Sequence, residues 1–254
     1  MAAGLCTRFV KVHLSMLKKS GFSVFCLPGL HSILARNRRI TSNSNGTRAE
    51  DGKVLYLNSS GWDGRSFTGE TAKLFLARYK NLHPRHSVQE INLWDKNLLK
   101  FSLSHVESKM RISGGGEQPG DRLKYLAVQE MARELLAASK LVISCPMWNF
   151  SVPYVLKQYI DCVVQSELTF RETEHGMEGL LTGRPLLLIT SSSQDFSVEP
   201  LKKLDFQVPY LKAIFGFIGF RDFRHIYIAN TKVHSSKALL EAACERIEEE
   251  VARF

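Results

Sequence analysis

The sequence predicts an α/β fold, a five-stranded parallel sheet with helices on both faces. Three observations carry that expectation. From residue 53 onward, short apolar strand-like runs alternate with stretches of helical periodicity. The clearest run, Leu141-Val142-Ile143-Ser144-Cys145, is too short for a helix and reads as a strand buried on both faces. It breaks at Pro146 into a loop of flat and amide side chains, Met147-Trp148-Asn149-Phe150, and then enters a helix. In open α/β sheets ligands occupy the crevice beyond the carboxyl ends of the strands, which is where that loop falls.

Taken in order, residues 53–60 (KVLYLNSS) form the first strand. Residues 69–80 form a helix with Ala72, Phe75, Leu76 and Tyr79 on one face. Residues 87–94 are a weaker strand, as suits a sheet edge. Residues 96–119 read as a long connection, with Ser113-Gly114-Gly115-Gly116 marking a mobile segment. A helix over 122–139 leads into the strand at 141–145, which Pro146 ends because proline has no N–H to give a ladder. Pro153 suits the first turn of the next helix, where Val155, Leu156, Tyr159, Ile160 and Val163 share a face. Residues 185–190 (PLLLIT) are the fourth strand, 200–215 a helix, 224–229 the fifth strand and 236–253 a closing helix. No internal repeat is evident.

Charge separates the first fifty residues from the rest. Residues 1–49 hold eight Lys and Arg and no acid, the first being Glu50. That composition reads as a transit peptide over 1–50, mostly disordered, followed by one domain over 51–254. A mitochondrial address is expected; a plastid address, or a cytoplasmic location if the segment is no signal, are the alternatives. Without 1–50 the formal net charge drops from +9 to +2, so the basic balance is no argument for nucleic-acid binding. The apolar patch at 21–34 is too short to span a bilayer.

Several chemistries lose support. Five cysteines form no CxxC pair, which speaks against a disulfide framework or a zinc site, and Cys145 reads as a buried structural thiol. His83 and His86 flank Pro84-Arg85 in a turn rather than forming a metal pair, whereas His175, in the Glu174-His175-Gly176 turn, stays open as a group near a substrate mouth. The loop Ser59-Ser60-Gly61-Trp62-Asp63-Gly64-Arg65-Ser66-Phe67-Thr68 brings hydroxyls and glycines to a helix start, an arrangement suited to an anion. It has no Gly-Lys-Ser/Thr, no GxGxxG and no GxSxG, which disfavours a Walker loop, a Rossmann fingerprint and a nucleophile elbow. The plainer reading is that Ser66 and Thr68 only cap the helix.

Together these segments resemble the FMN-dependent NADH:quinone oxidoreductases known as azoreductases, within the flavodoxin-like superfamily. The resemblance spans about residues 53–250 and rests on four ordered segments. They are Pro146-Met147-Trp148-Asn149-Phe150-Ser151-Val152-Pro153 with Leu156-Lys157-Gln158-Tyr159-Ile160-Asp161, the run Thr169 to Glu174, Gly179-Leu180-Leu181-Thr182-Gly183-Arg184, and Tyr210-Leu211-Lys212 with Gly216-Phe217-Ile218-Gly219. The resemblance implies that Ser59, Ser66 and Thr68, with the Phe67 backbone, hold the FMN phosphate. It implies that Pro146, Met147, Trp148, Asn149 and Phe150 line the isoalloxazine, and that Ser191, Ser193 and Gln194 meet its edge. It further implies ping-pong hydride transfer from NADH or NADPH to quinones or azo compounds, in a homodimer whose subunits complete the pocket, with no catalytic side chain and no metal. The family usually carries Ser-Arg-Gly-Gly after the fourth strand, where this chain has Ser191-Ser192-Ser193-Gln194-Asp195-Phe196. Side chains replace both glycines, and Asp195 brings a negative charge toward the ring if it faces inward. A non-catalytic flavodoxin-like module that binds flavin or a partner is the alternative left open.

Overall fold

A computed structural model describes residues 52–61, 66–94, 98–233 and 236–254. The leader expected at 1–50, and Trp62, Asp63, Gly64 and Arg65 of the first loop, lie outside these described residues. The elements are β1 (Lys53–Asn58), α1 (Phe67–Leu82), β2 (Ser87–Asn92), α2 (Leu103–Ser113), α3 (Asp121–Ala137), β3 (Lys140–Pro146), α4 (Tyr154–Val163), β4 (Phe170–Thr173), β5 (Gly176–Gly179), β6 (Pro185–Ser191), α5 (Val208–Phe217), β7 (Asp222–Ile228) and α6 (Ser236–Arg253). A single 3₁₀ turn, Leu201–Leu204, precedes α5.

Five strands pair in parallel in the order β2-β1-β3-β6-β7. Alternation along β1 sends Val54 and Tyr56 to one face, with Phe75 and Tyr79 of α1 and Ile247 and Val251 of α6. Leu55 and Leu57 face the other way, with Leu135 of α3, Leu156 and Tyr159 of α4, and Leu211 and Phe215 of α5. Both faces are therefore apolar, and the central strands read as unbroken hydrophobic runs. The edge position expected of the weaker second strand is observed, and its side chains are mostly exposed.

Three elements depart from the sequence reading. Residues 103–113, expected within a connection, are helical, and Ser102 begins the helix with a capping box in which His105 takes the usual Glu position. Residues 170–179 form an antiparallel hairpin, with Arg171 Nε donating to Glu178 Oε2 at 2.8 Å. Its base needs glycine, because a Cβ on Gly179 would lie 2.3 Å from the Gly219 nitrogen, and Gly219 itself sits at φ +119°. The helix expected over 200–215 divides into the 3₁₀ turn and α5, with Asp205 Oδ1 accepting the amides of Gln207 and Val208 at the break.

The described residues fall into two compact units, one of residues 102–126 and the other of the remainder. Within the first, Asp121 joins α2 to the start of α3. Its carboxylate accepts Arg111 Nε at 2.9 Å, Arg111 Nη2 at 2.7 Å, Ser108 Oγ at 2.8 Å and the Gln118 amide at 2.9 Å.

Candidate functional site

Register places three loops side by side at one sheet edge. Asn58 at the end of β1 lies across from Ser144, and Pro146 at the end of β3 lies across from Ser191 at the end of β6. Neighbouring strands are about 4.8 Å apart, so the three chains leave the sheet as adjacent strands of a crevice. The order β2-β1-β3 makes this the point where the connections diverge to opposite sides, the expected ligand position in such a sheet.

The loop after β1 is held by a hydroxyl network. Ser60 Oγ lies 2.8 Å from Thr68 Oγ1 and donates to Ser144 Oγ at 2.9 Å, while Tyr56 OH lies 2.9 Å from the same Ser144 oxygen. Ser66 Oγ accepts the Gly69 amide at 3.3 Å as the cap of α1 and sits 3.1 Å from Thr68 Oγ1. The first N–H groups of α1 have no intrahelical partner, so hydroxyls and amides converge at the positive end of a helix. Ser59 takes a different part: fully buried, it donates Oγ to the Ser144 carbonyl at 2.7 Å, which fixes the loop to β3. Phe67 opens the helix and packs its side chain against the core. Ser60, Tyr56 and Ser144 are members of this network that the sequence reading did not single out. A serine in the apolar run of β3 was the available signal.

The loop after β3 is a tight two-residue turn. Trp148 and Ser151 exchange both backbone hydrogen bonds at 2.9 Å, and the intervening Asn149 and Phe150 have φ +49° and +68°. Two positive φ values are the mark of a type I′ turn, which ordinarily takes Asn-Gly. A phenylalanine there is strained, and such strain gathers at functional sites. The turn exposes Trp148 and Phe150, 44% and 46% accessible. Trp94 flanks them, its ring 5.3 Å from Trp148 and 5.5 Å from Tyr154, with Nε1 donating to the Ser59 carbonyl at 3.0 Å. Gly61, at φ +73°, admits this indole, since a Cβ would come within 2.9 Å of it. Pro146 ends its strand as expected, and Met147, half-buried, donates its amide to the Ser191 carbonyl at 2.7 Å. The polar main chain and the flat side chains thus lie on one ridge.

The loop after β6 curls on itself. Ser191 and Ser192 are buried, Ser193 is half-buried and Gln194 is exposed. Asp195 does not present a free carboxylate: its Oδ1 accepts Ser197 Oγ at 2.6 Å and the Ser197 amide at 2.8 Å, bonds that hold it below the usual carboxylate range. Phe196 brings its ring to 6.0 Å from Phe150, linking this loop to the strained turn.

Beside the turn opens a pocket of about 740 Å³, lined by Trp148, Asn149, Ser151, Val152, Pro153 and Tyr154 together with Phe101, Lys157, Gln158 and Tyr210. That volume is typical of a small-molecule site. Cys145 is buried beneath, and burial pushes its thiol up to about 12, so it is no nucleophile at neutral pH. His86 Nδ1 lies 2.7 Å from Tyr79 OH, and His175 caps the exposed hairpin. No group of three potential metal ligands occurs among the described residues.

Comparisons with known proteins identify the family. A family model described as flavodoxin-like fold matches residues 52–251. An FMN-dependent NADH:quinone oxidoreductase of Nitratidesulfovibrio vulgaris (strain DP4) is 34% identical over 181 residues, spanning 70% of this chain and 86% of its own length. The chain belongs to this flavodoxin-like oxidoreductase family. FMN-dependent NADH:quinone oxidoreductase 1 of Bacillus subtilis (strain 168) is 28% identical over 207 residues, covering 79% of this chain and 99% of its own. Among solved structures, an FMN-dependent NADH-azoreductase from Bacillus anthracis in complex with FMN aligns with a TM-score of 0.73 and 27% identity, over 80% of this chain and 98% of that one.

The residues of this flavodoxin-like member fit the chemical parts of FMN. A hydroxyl-lined helix N-terminus suits a phosphate, two exposed aromatic side chains on a strained ridge suit a tricyclic ring, and the polar β6 loop suits the ring's hydrogen-bonding edge.

Proposed function

We propose that this protein is an FMN-dependent NADH:quinone oxidoreductase that also accepts azo compounds. The observation that carries the reading is the juxtaposition of the hydroxyl-lined start of α1 with the strained Trp148–Ser151 turn at the β1/β3 edge. Thr68 and Ser66 hydroxyls and the first amides of α1 would hold the phosphate. Hydrogen bonds to a charged group contribute roughly 1.5–3 kcal/mol each, enough for two or three to anchor it. Met147, Trp148 and Phe150 would pack against the ring, Asn149 and main-chain amides would meet its polar atoms, and Ser193 and Gln194 would close its edge. FMN held there would supply the two-electron chemistry that links NADH or NADPH to a quinone or azo acceptor in two separate half-reactions. The chain's own part is to bind, orient and exclude water, and no protein nucleophile is needed.

The pocket beside Trp148 is the place for donor and acceptor in turn. Trp148 and Tyr154 are exposed in its lining, and Phe150 and Phe206, joined by a backbone hydrogen bond, are exposed on the adjoining loops, an apolar surface of the kind a second subunit covers. We read the protein as a homodimer on that ground and on the resemblance. Light scattering is expected to return twice the chain mass, and a monomer at micromolar concentration would refute this part. Residues 1–50 we read as a mitochondrial leader because residues 1–49 hold eight basic residues and no acid, which imaging of a fluorescent fusion would test.

The full chain incubated with FMN is expected to sustain multiple turnovers of NADH when a benzoquinone or an azo dye is present as the acceptor. Flavin binding without turnover would instead favour a non-catalytic flavin module.

A further inference from the structure

The loop after β6 is organised around one phenol oxygen. Tyr227 OH, on β7, accepts the Phe196 amide at 2.8 Å, lies 2.6 Å from Ser192 Oγ and 3.2 Å from the Gln194 carbonyl. Ser192 Oγ donates to that carbonyl at 2.5 Å, so Tyr227, Ser192 and Gln194 close a small ring of hydrogen bonds. Backbone bonds fix Ser192 at both ends: its amide donates to the Ile228 carbonyl and its carbonyl accepts the Thr231 amide, each at 3.1 Å. The segment 192–196 therefore wraps the Tyr227 hydroxyl, with Ser193 and Gln194 at the crest. Phe196, held through its amide by Tyr227, carries the position onward to Phe150 in the strained turn.

We propose that Tyr227 is a positioning residue for the ring end of the cofactor site: its hydroxyl sets the height of the Ser193-Gln194 crest and, through Phe196, the pose of Phe150. This role rests on the FMN reading above. It does not require Tyr227 to touch the cofactor. A phenylalanine would keep the ring and its 5.9 Å stacking on His225 but would leave the Phe196 amide and Ser192 Oγ without their shared partner. The crest would then loosen while the sheet stays intact.

The test separates the ring end from the phosphate end by using two ligands, FMN and riboflavin, which lacks the phosphate. Binding to the full chain is followed by quenching of flavin fluorescence, for the native protein, Y227F and T68V. The expected result is that Y227F weakens FMN and riboflavin by the same factor, about tenfold for one net hydrogen bond, whereas T68V weakens FMN alone. If Y227F does not fold, S192A removes the other hydroxyl of the ring and is expected to give the same equal loss. Unchanged affinity for both ligands in Y227F, or a loss confined to FMN, would overturn the positioning role while leaving the FMN reading standing. A native protein that binds neither flavin would overturn both.

Discussion

Phe150 sits at φ +68°, where a bulky side chain costs about 1–3 kcal/mol, yet its ring is nearly half exposed. Strain that is not repaid by burial points to use. Phe150→Gly makes the turn Asn-Gly, the favoured pair for its geometry. The relief of strain offsets the added freedom of glycine in the unfolded chain, so calorimetry is expected to find the melting temperature within about 2 °C of native. Flavin affinity, in contrast, is expected to fall about tenfold with the aromatic face removed. A large drop in melting temperature with unchanged affinity would make Phe150 merely structural. His225 carries a second prediction. Burial, with Lys212 and Arg246 nearby, lowers its pKa from 6.5 to about 4, and its Nε2 lies 2.7 Å from Thr190 Oγ1. Below pH 6.5 the unfolded chain takes up a proton that the folded protein refuses until about pH 4. Stability is therefore present above pH 6.5 and is lost as pH falls through that window. Urea midpoints at pH 7.5, 5.5 and 4.5 are expected to fall in the native protein and to run flatter in His225→Gln. At this scale the aromatic loop was legible because Trp148 and Phe150 stand in a polar break after an apolar strand. Ser60 and Tyr227 were not, because their roles depend on hydroxyl contacts between strands 30 to 90 residues apart in sequence.

The Asp121 carboxylate links α2 to the start of α3. Bonds from Arg111, the Gln118 amide and Ser108 hold Asp121 well below the usual carboxylate range. A depressed acid stabilises above its unfolded pKa of about 4 and loses that contribution as pH falls below it. Asp121→Asn is expected to speed amide exchange across residues 103–126 at neutral pH, with the exchange of β3 unchanged. Equal exchange in both segments would contradict this. The strands and their edges were legible as elements because a strand buried on two faces has a continuous apolar run that little else produces. Residues 103–113 escaped notice for the opposite reason: Leu-Ser-His-Val-Glu-Ser-Lys-Met-Arg-Ile-Ser alternates too weakly to mark a face, and the glycines after it suggest a loop. The β4–β5 hairpin was hidden by its length of four residues per strand and its exposed side chains.

At the scale of the molecule, the sheet order β2-β1-β3-β6-β7 makes the three loops neighbours, and no single loop would define a site alone. The fold followed from the alternation of patterns. The site needed both the resemblance and the register, since sequence places Ser66, Phe150 and Gln194 far apart and only Asn58 opposite Ser144 and Pro146 opposite Ser191 bring them to one edge. The C-terminal Phe254 closes the opposite end of the α1–α6 layer, its ring 5.5 Å from Phe75 and 5.7 Å from Tyr79. Phe254→Ala is expected to cost about 3 kcal/mol by urea unfolding and to leave flavin affinity unchanged. Binding of FMN at the β1/β3 edge and its reduction by NADH can be tested together. The most direct measurement is the visible absorption spectrum of the full chain after incubation with FMN and gel filtration, followed by anaerobic NADH and then a quinone. The expected result is a retained flavin spectrum that bleaches with NADH and returns with the quinone. A protein that emerges colourless, or a bound flavin that NADH leaves unchanged, would contradict it.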